Sequence, residues 1–187
     1  MAEGALLVAA DETGISQVPT VVRTWAPRGK TPVVRHAFNW KKLSLLLLAT
    51  PCGLLLRDIV AGAFRSERIL TNLKALVEVF KDRRIVVLWD GAPIHRSRAI
   101  ARWLERPEVK ARLEIVRLPP YAPELNPAEV IFSALKRKRL GNFAGGEDLG
   151  DLARRTNQGL DDIDFETIKG CFRHALGGLF QQCQLTG

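Results

Sequence analysis

The 187-residue sequence predicts a mixed α/β sheet flanked by helices, with three antiparallel strands followed by two parallel strands reached through helices. Three observations carry this. Ala5 to Ala10 and Arg84 to Asp90 are short, continuously apolar runs that end in an aspartate, the pattern of strands buried on both faces. Leu43 to Thr50 and Gly53 to Asp58 are β-compatible runs split by "PCG", a turn signal that makes them a hairpin. From Ser66 the apolar spacing lengthens to a helical period.

Taken in order, Ala5 to Ala10 is the first strand, and "TWAPRGKTPVV" is a turn-containing connection into the hairpin. Ser66 to Phe80 is a helix, with Ile69, Leu70, Leu73, Leu76, Val77 and Phe80 on one face, Ser66 as N-cap and Glu67 in the first turn. Arg84 to Asp90 is the fourth strand. A helix over Ser97 to Glu105 stops before Pro107, and Leu113 to Leu118 is the fifth strand. The prolines of "LPPYAPELNP" hold the chain extended until Asn126 and Pro127 start a helix as N-cap and first residue. Helices over Leu149 to Gln158 and Phe165 to Phe180, the second started by Asp164, form an extension (147–187) packed on a first domain (1–146).

Composition narrows the class of function. Apolar residues make up 47%, enough for a core, and 28 Lys and Arg against 20 Asp and Glu give a net charge of +8. Such a surface suits an anionic partner, nucleic acid first, or serves solubility alone. Cys52, Cys171 and Cys183 are too few and too scattered for a disulfide framework or zinc knuckle, which fits a reducing cytoplasm. The N-terminus lacks an export signal, and Leu43 to Leu56 is too short and too interrupted to span a bilayer.

Carboxylates are the candidate chemistry. Asp11 and Asp90 end strands, where reactive groups of open α/β sheets gather, although an aspartate closing a strand is also ordinary turn chemistry. Glu129 falls three residues after Asn126. It either reaches back to the Asn126 amide in a capping box, or lies on the flank of the Ala128, Ile131, Phe132 and Leu135 stripe and looks along the sheet toward the strand ends. Three such acids could hold a pair of hard divalent cations for phosphodiester chemistry. P-loop, dinucleotide-binding, nucleophile-elbow and H-E-x-x-H motifs are missing from the sequence.

"WAPRGKTP", "LWDGAPIHRS" and "LPPYAPELNPAEVIFSALK", in that order after an early "DE", resemble the catalytic domain of the IS630 and Tc1/mariner group of transposases, from about Ala5 to Arg139. The resemblance implies an RNase H-like fold and a DDE metal site of Asp11, Asp90 and Glu129 holding two Mg²⁺ or Mn²⁺ ions. It implies cleavage of DNA at transposon ends and joining of a 3′-hydroxyl to target DNA, usually at TA, by a homodimer on paired ends in the cytoplasm, at the nucleoid. Relatives carry helix-turn-helix modules ahead of the first acid, so end recognition is expected from a separately encoded or frameshift-joined segment. The alternatives are an RNase H-like nuclease without strand transfer and a catalytically degenerate, transposase-derived DNA-binding protein.

Two departures from the family pattern bear on activity. Gly91 stands where many relatives have Asn, removing an amide able to orient metal-bound water, and Phe132 stands in place of Trp. His95 and Arg96, in the second block, are candidate DNA contacts, with loop support as the plainer role for His95. Lys136, Arg137, Lys138 and Arg139 close the last helix of the resemblance, where they complement its dipole or hold phosphates. Arg28 and Lys30 join this DNA-binding set, and Arg23, Arg35, Lys41 and Lys42 flank the same connection. Glu12 is expected to be peripheral because neighbouring strand residues face opposite ways, and Glu124 to be a solvated loop charge. His36 and His174 read as structural, and Trp25, Trp40, Trp89 and Trp103 as core or rim packing.

Overall fold

The computed structural model describes residues 4–18, 20–33, 41–142 and 148–177. Five strands form one sheet: β1 (Leu6–Ser16), β2 (Lys42–Ala49), β3 (Leu55–Ala61), β4 (Ile85–Trp89) and β5 (Leu113–Arg117), in the order β3-β2-β1-β4-β5. β1, β2 and β3 are antiparallel neighbours, whereas β4 and β5 run parallel to β1, as the apolar runs and intervening helices predict.

β1 extends six residues beyond the expected run. Leu6 to Ala9 pair with β4, while Ala9 to Ser16 pair with β2. The second half of β1 therefore outruns β4 and is flanked by a strand on one side only. That half is polar and only partly buried, so "DETGIS" lacks the apolar signature of the first half. Asp11 sits where β1 leaves β4 behind.

The alternation along β1 divides the core. Leu7 and Ala9 face one side with Leu45, Leu47, Val86 and Leu88. Leu6, Val8 and Ala10 face the other with Leu46, Leu48, Ile85, Val87 and Trp89. The second face is covered by α1 (Ser66–Val79), through Ile69, Leu73 and Leu76, and by α2 (Arg98–Leu104), through Ile100 and Trp103. Arg65, not Ser66, occupies the N-cap of α1 and supplies no side-chain cap. The helix start is instead pinned to β3, where Arg68 donates to both oxygens of Asp58 (2.6 and 2.8 Å) and Asn72 Nδ2 adds a third bond at 2.7 Å. These donors hold the Asp58 carboxyl below its usual range. Pro107, expected as a stop, also opens a short helix, α3 (Pro107–Lys110).

The first face is covered by α4 (Pro127–Ala134), α5 (Leu149–Asp161) and α6 (Phe165–Leu176), and Leu152, Leu160, Ile168 and Phe172 join the cluster made by α4. Asp148 and Asp164 cap α5 and α6, each accepting from a backbone N–H three residues on, at 2.7 Å. α4 widens at its end into a π turn over Leu135–Arg139, closed by Leu140 N donating to Leu135 O at 3.1 Å. Gly159 lets α5 cross this turn, since a Cβ there would lie 2.8 Å from Leu135 Cδ1.

Trp89 and Trp103 are buried, whereas Trp25, expected in packing, is fully exposed in the connection after β1. That connection is anchored early: Asn142 Oδ1 accepts from Val22 N (2.9 Å) and its Nδ2 donates to Val22 O (2.8 Å). Arg35, His36, Trp40 and Cys183 lie outside the described residues. Among those described, no helix is long and apolar enough to cross a membrane.

Candidate active site

Asp11 and Asp90 meet because β1 and β4 are parallel and in register. Ala9 lies opposite Leu88, so the same register carried two residues further sets Asp11 beside Asp90. Both share the parity of Ala9 and Leu88, the face covered by α4. Asn126 starts that helix in the expected way, its Oδ1 accepting from Ala128 N at 3.1 Å. Ala128, Ile131, Phe132 and Leu135 are buried, which leaves Glu129 on the flank, half-buried.

The capping box does not form. The Asn126 amide that Glu129 would have satisfied donates to Pro123 O at 3.0 Å, and the Asn126 side chain does the capping. Glu129 acts on Asp11 instead. Asp11 is 7% exposed, and its carboxyl is pushed up to about 7, first by burial, next by the charge of Glu129, and then by Asp90 and Glu12, against the lowering hydrogen bond from Glu12 N. A buried acid raised by three neighbouring acids marks a site short of positive charge.

Sequence reasoning missed two parts of this site. Asn126, 2% exposed, donates from Nδ2 to Asp11 Oδ2 (3.1 Å) and to Ala10 O (3.3 Å). One amide thus caps α4 and holds the first aspartate, fixing Glu129 relative to Asp11. The N-cap signal showed the first role only.

The second is Glu12 with His95. Glu12 points to the opposite face from Asp11, as expected, yet it is tied to the site. Its Oε2 lies 2.8 Å from His95 Nε2, and His95 Nδ1 lies 2.7 Å from Asp90 Oδ1. The imidazole stacks on Trp89, with ring centroids 3.8 Å apart. Burial alone would lower the His95 pKa, but the hydrogen bond and charge of Glu12, followed by Asp90, raise it. The side chain is 4% exposed with both nitrogens engaged, so the expected DNA contact by His95 gives way to loop support.

The expected basic cluster divides. Lys136 Nζ donates to Thr13 Oγ1 at 2.6 Å, on the Asp11 side of β1. Arg139 turns away to the α5–α6 corner, donating to Asp162 O at 2.9 Å. Arg137 and Lys138 are exposed and border a groove of about 390 Å³ between α4 and α6. Arg96 is exposed beside the site, and Arg28 and Lys30 are exposed in a turn closed by Lys30 N donating to Pro27 O. Gly91 is exposed, with open space where a side chain would lie.

Among the described residues, no three carboxylate, histidine or thiol groups close around one point at metal-ligand spacing. Asp90 Oδ1 is engaged by His95 and by Ala92 N (3.1 Å), and Asp11 by Glu12 N (2.8 Å) and Asn126. The donor set nevertheless fits a hard divalent ion: carboxylate oxygens only, with an electrostatic deficit that a cation relieves.

The five-stranded mixed sheet flanked by helices on both faces is an RNase H-like fold. The model of the DDE superfamily endonucleases matches residues 6–149, and the chain belongs to that family. No curated protein sequence matches it. Among solved structures, the mariner Mos1 paired-end complex with Mg is 20% identical at a TM-score of 0.72, covering 95% of this chain and 54% of that one. The Mos1 paired-end complex with left transposon end is 20% identical at 0.70, covering 90% and 52%. The catalytic domain of Mos1 transposase is 18% identical at 0.66, covering 90% and 76%. The chain thus spans about half the length of the Mos1 chains in the paired-end complexes, and what it shares with them is the fold.

Proposed function

We propose that this domain cuts DNA strands at transposon ends and joins the freed 3′-hydroxyl to target DNA, with Asp11, Asp90 and Glu129 as the catalytic, metal-binding acids. The observation that carries this is the parallel register that sets buried Asp11 beside Asp90, with Asn126 at the head of the Glu129 helix bonded to Asp11 Oδ2 at 3.1 Å, in a member of the DDE endonuclease family. Bound between these acids, a pair of Mg²⁺ or Mn²⁺ ions supplies activation of the attacking water or 3′-hydroxyl and stabilisation of the leaving oxygen. Mos1 complexes have been solved with Mg and, as a paired-end complex, with Mn, which supports this choice of ions.

The chain's own residues set the geometry. Asn126 and Glu12 N hold Asp11, so its carboxylate keeps one orientation as charge builds on the phosphate. Glu129, half-buried on the flank of α4, adds its charge to that of Asp11. Lys136, on Thr13 two residues from Asp11, is placed to take a phosphate oxygen close to the acids. Arg28, Lys30, Arg96, Arg137 and Lys138 supply exposed positive charge for the flanking backbone. The expected assembly is a homodimer on paired ends at the nucleoid, with end recognition by a helix-turn-helix segment and insertion at TA.

The test is incubation of the purified protein with supercoiled plasmid and labelled element-end duplexes in Mg²⁺ or Mn²⁺, beside Asp90→Ala. Metal-dependent nicking and joined products from wild type alone are expected. Cutting without joining would make it a plain nuclease, and no cutting by either protein would overturn the enzymatic reading.

A further inference from the structure

We infer that Glu12 is a positioning residue for the metal site: through His95 it fixes the orientation of Asp90. This rests on the reading of Asp11, Asp90 and Glu129 as metal-binding acids. β1 supplies Asp11 and Glu12 in succession, and the pleat sends them to opposite faces of the sheet. Asp11 goes to the α4 face. Glu12 goes to the α1–α2 face, where His95 lies against Trp89.

From there the imidazole links the two faces around the end of β4. Nε2 meets Glu12 Oε2 at 2.8 Å, and Nδ1 meets Asp90 Oδ1 at 2.7 Å. Asp90 follows the last residue of β4, its side chain is 48% exposed, and Gly91 beside it is open. Without a clamp such a carboxylate samples several rotamers. The ion-pair contact of His95 Nδ1 at 2.7 Å, with the bond from Ala92 N at 3.1 Å, engages Oδ1, and Nδ1 also meets Asp90 O at 3.5 Å, so the ring touches both the side chain and the backbone of Asp90. His95 in turn is held flat against Trp89, and Glu12 fixes its Nε2 edge.

A second observation separates this arrangement from simple packing. Glu12 Oε1 is sealed from solvent and has no hydrogen-bond partner. A buried, unpaired carboxylate oxygen is unfavourable, and an apolar residue on this face would remove that penalty. Retaining the acid here makes sense if its other oxygen is needed to hold His95. Outer partners of this kind change metal affinity or activity by about 10- to 100-fold when removed.

The test uses the whole chain and the variants Glu12→Ala, Glu12→Gln and Asp90→Ala, with folding checked by circular dichroism. Mn²⁺ affinity is read by electron paramagnetic resonance, and the His95 ring N–H signals by proton NMR without metal. Glu12→Ala should lose the downfield His95 Nε2–H signal and weaken Mn²⁺ binding by about 10- to 100-fold. Glu12→Gln, which keeps an acceptor oxygen, should restore affinity to within about threefold of wild type. If Glu12→Ala does not fold, Glu12→Asp, one methylene short of Nε2, takes its place with the same expectation.

Several results would overturn the inference. One is a Nε2–H signal that survives Glu12→Ala; another is its loss with unchanged Mn²⁺ affinity. Equal collapse of affinity in the Ala and Gln variants would make Glu12 a ligand and not a positioning residue. In each of these, Mn²⁺ binding that depends on Asp90 leaves the metal-site reading standing. Wild-type protein that binds no Mn²⁺ would remove that reading, and this inference with it.

Discussion

Replacing Asp11 by Asn should stabilise the protein at pH 8 while abolishing its chemistry. The carboxyl is 7% exposed and raised from 3.8 to about 7, so the folded state binds a proton that the unfolded state releases. The cost is absent below the unfolded value of 3.8, grows as pH rises, and is fully present above about 7. A shift of that size corresponds to about 4 kcal/mol at pH 8, the ceiling on what Asn can recover. Asn resembles the protonated acid: it keeps the shape, loses the charge, and likewise cannot accept at both atoms from Glu12 N and Asn126 Nδ2. Allowing for relaxation around the site, a gain of about 2–4 kcal/mol is expected, or roughly 5–10 °C in Tm for a domain of this size. Thermal unfolding of both proteins from pH 4 to pH 8 is the assay, and the gap should close toward pH 4. An Asp11→Asn protein no more stable than wild type at pH 8, or a gap independent of pH, would refute the argument from burial and repulsion.

Other substitutions separate structure from chemistry. Glu129→Gln should leave stability near pH 4 within about 0.5 kcal/mol of wild type in urea unfolding, because Glu129 caps nothing, should raise it above pH 7 by relieving the repulsion on Asp11, and should eliminate DNA cleavage. Asn126→Ala should cost about 1–3 kcal/mol by denaturant titration, as it removes the cap of α4 and strips Asp11 of a buried donor. Gly159→Ala should cost about 1–3 kcal/mol by the same measurement, since its methyl group would sit 2.8 Å from Leu135 Cδ1 where α5 crosses the π turn.

The strands, and the ends of β1's apolar half and of β4 at Asp11 and Asp90, were legible for one physical reason. Strands buried on both faces must be apolar throughout, and the change to Asp at residues 11 and 90 marks where the apolar runs end. Asn126 and Pro127 fixed the start of α4 through local chemistry that any chain obeys. What escaped is non-local or mixed in signal. The second half of β1 has polar residues because it has a neighbour on one side only. The Glu12–His95 contact joins residues 83 apart in sequence, and no local pattern records such a pairing. Arg139 reads as one of four equivalent cations until the α5–α6 corner supplies Asp162 as its partner. Trp25 reads as a core residue by type alone, and the exposed connection in which it lies is visible only in three dimensions.

Asp11, Asp90 and Glu129 are proposed to act together as one metal site. The direct test is calorimetric titration of Mn²⁺ into wild type, Asp11→Asn, Asp90→Ala and Glu129→Gln at matched pH and salt. Wild type should bind two ions, and each substitution should weaken binding by about tenfold or more, although Asp11→Asn is the more stable fold. Wild-type affinity retained in any of the three variants would contradict that proposal.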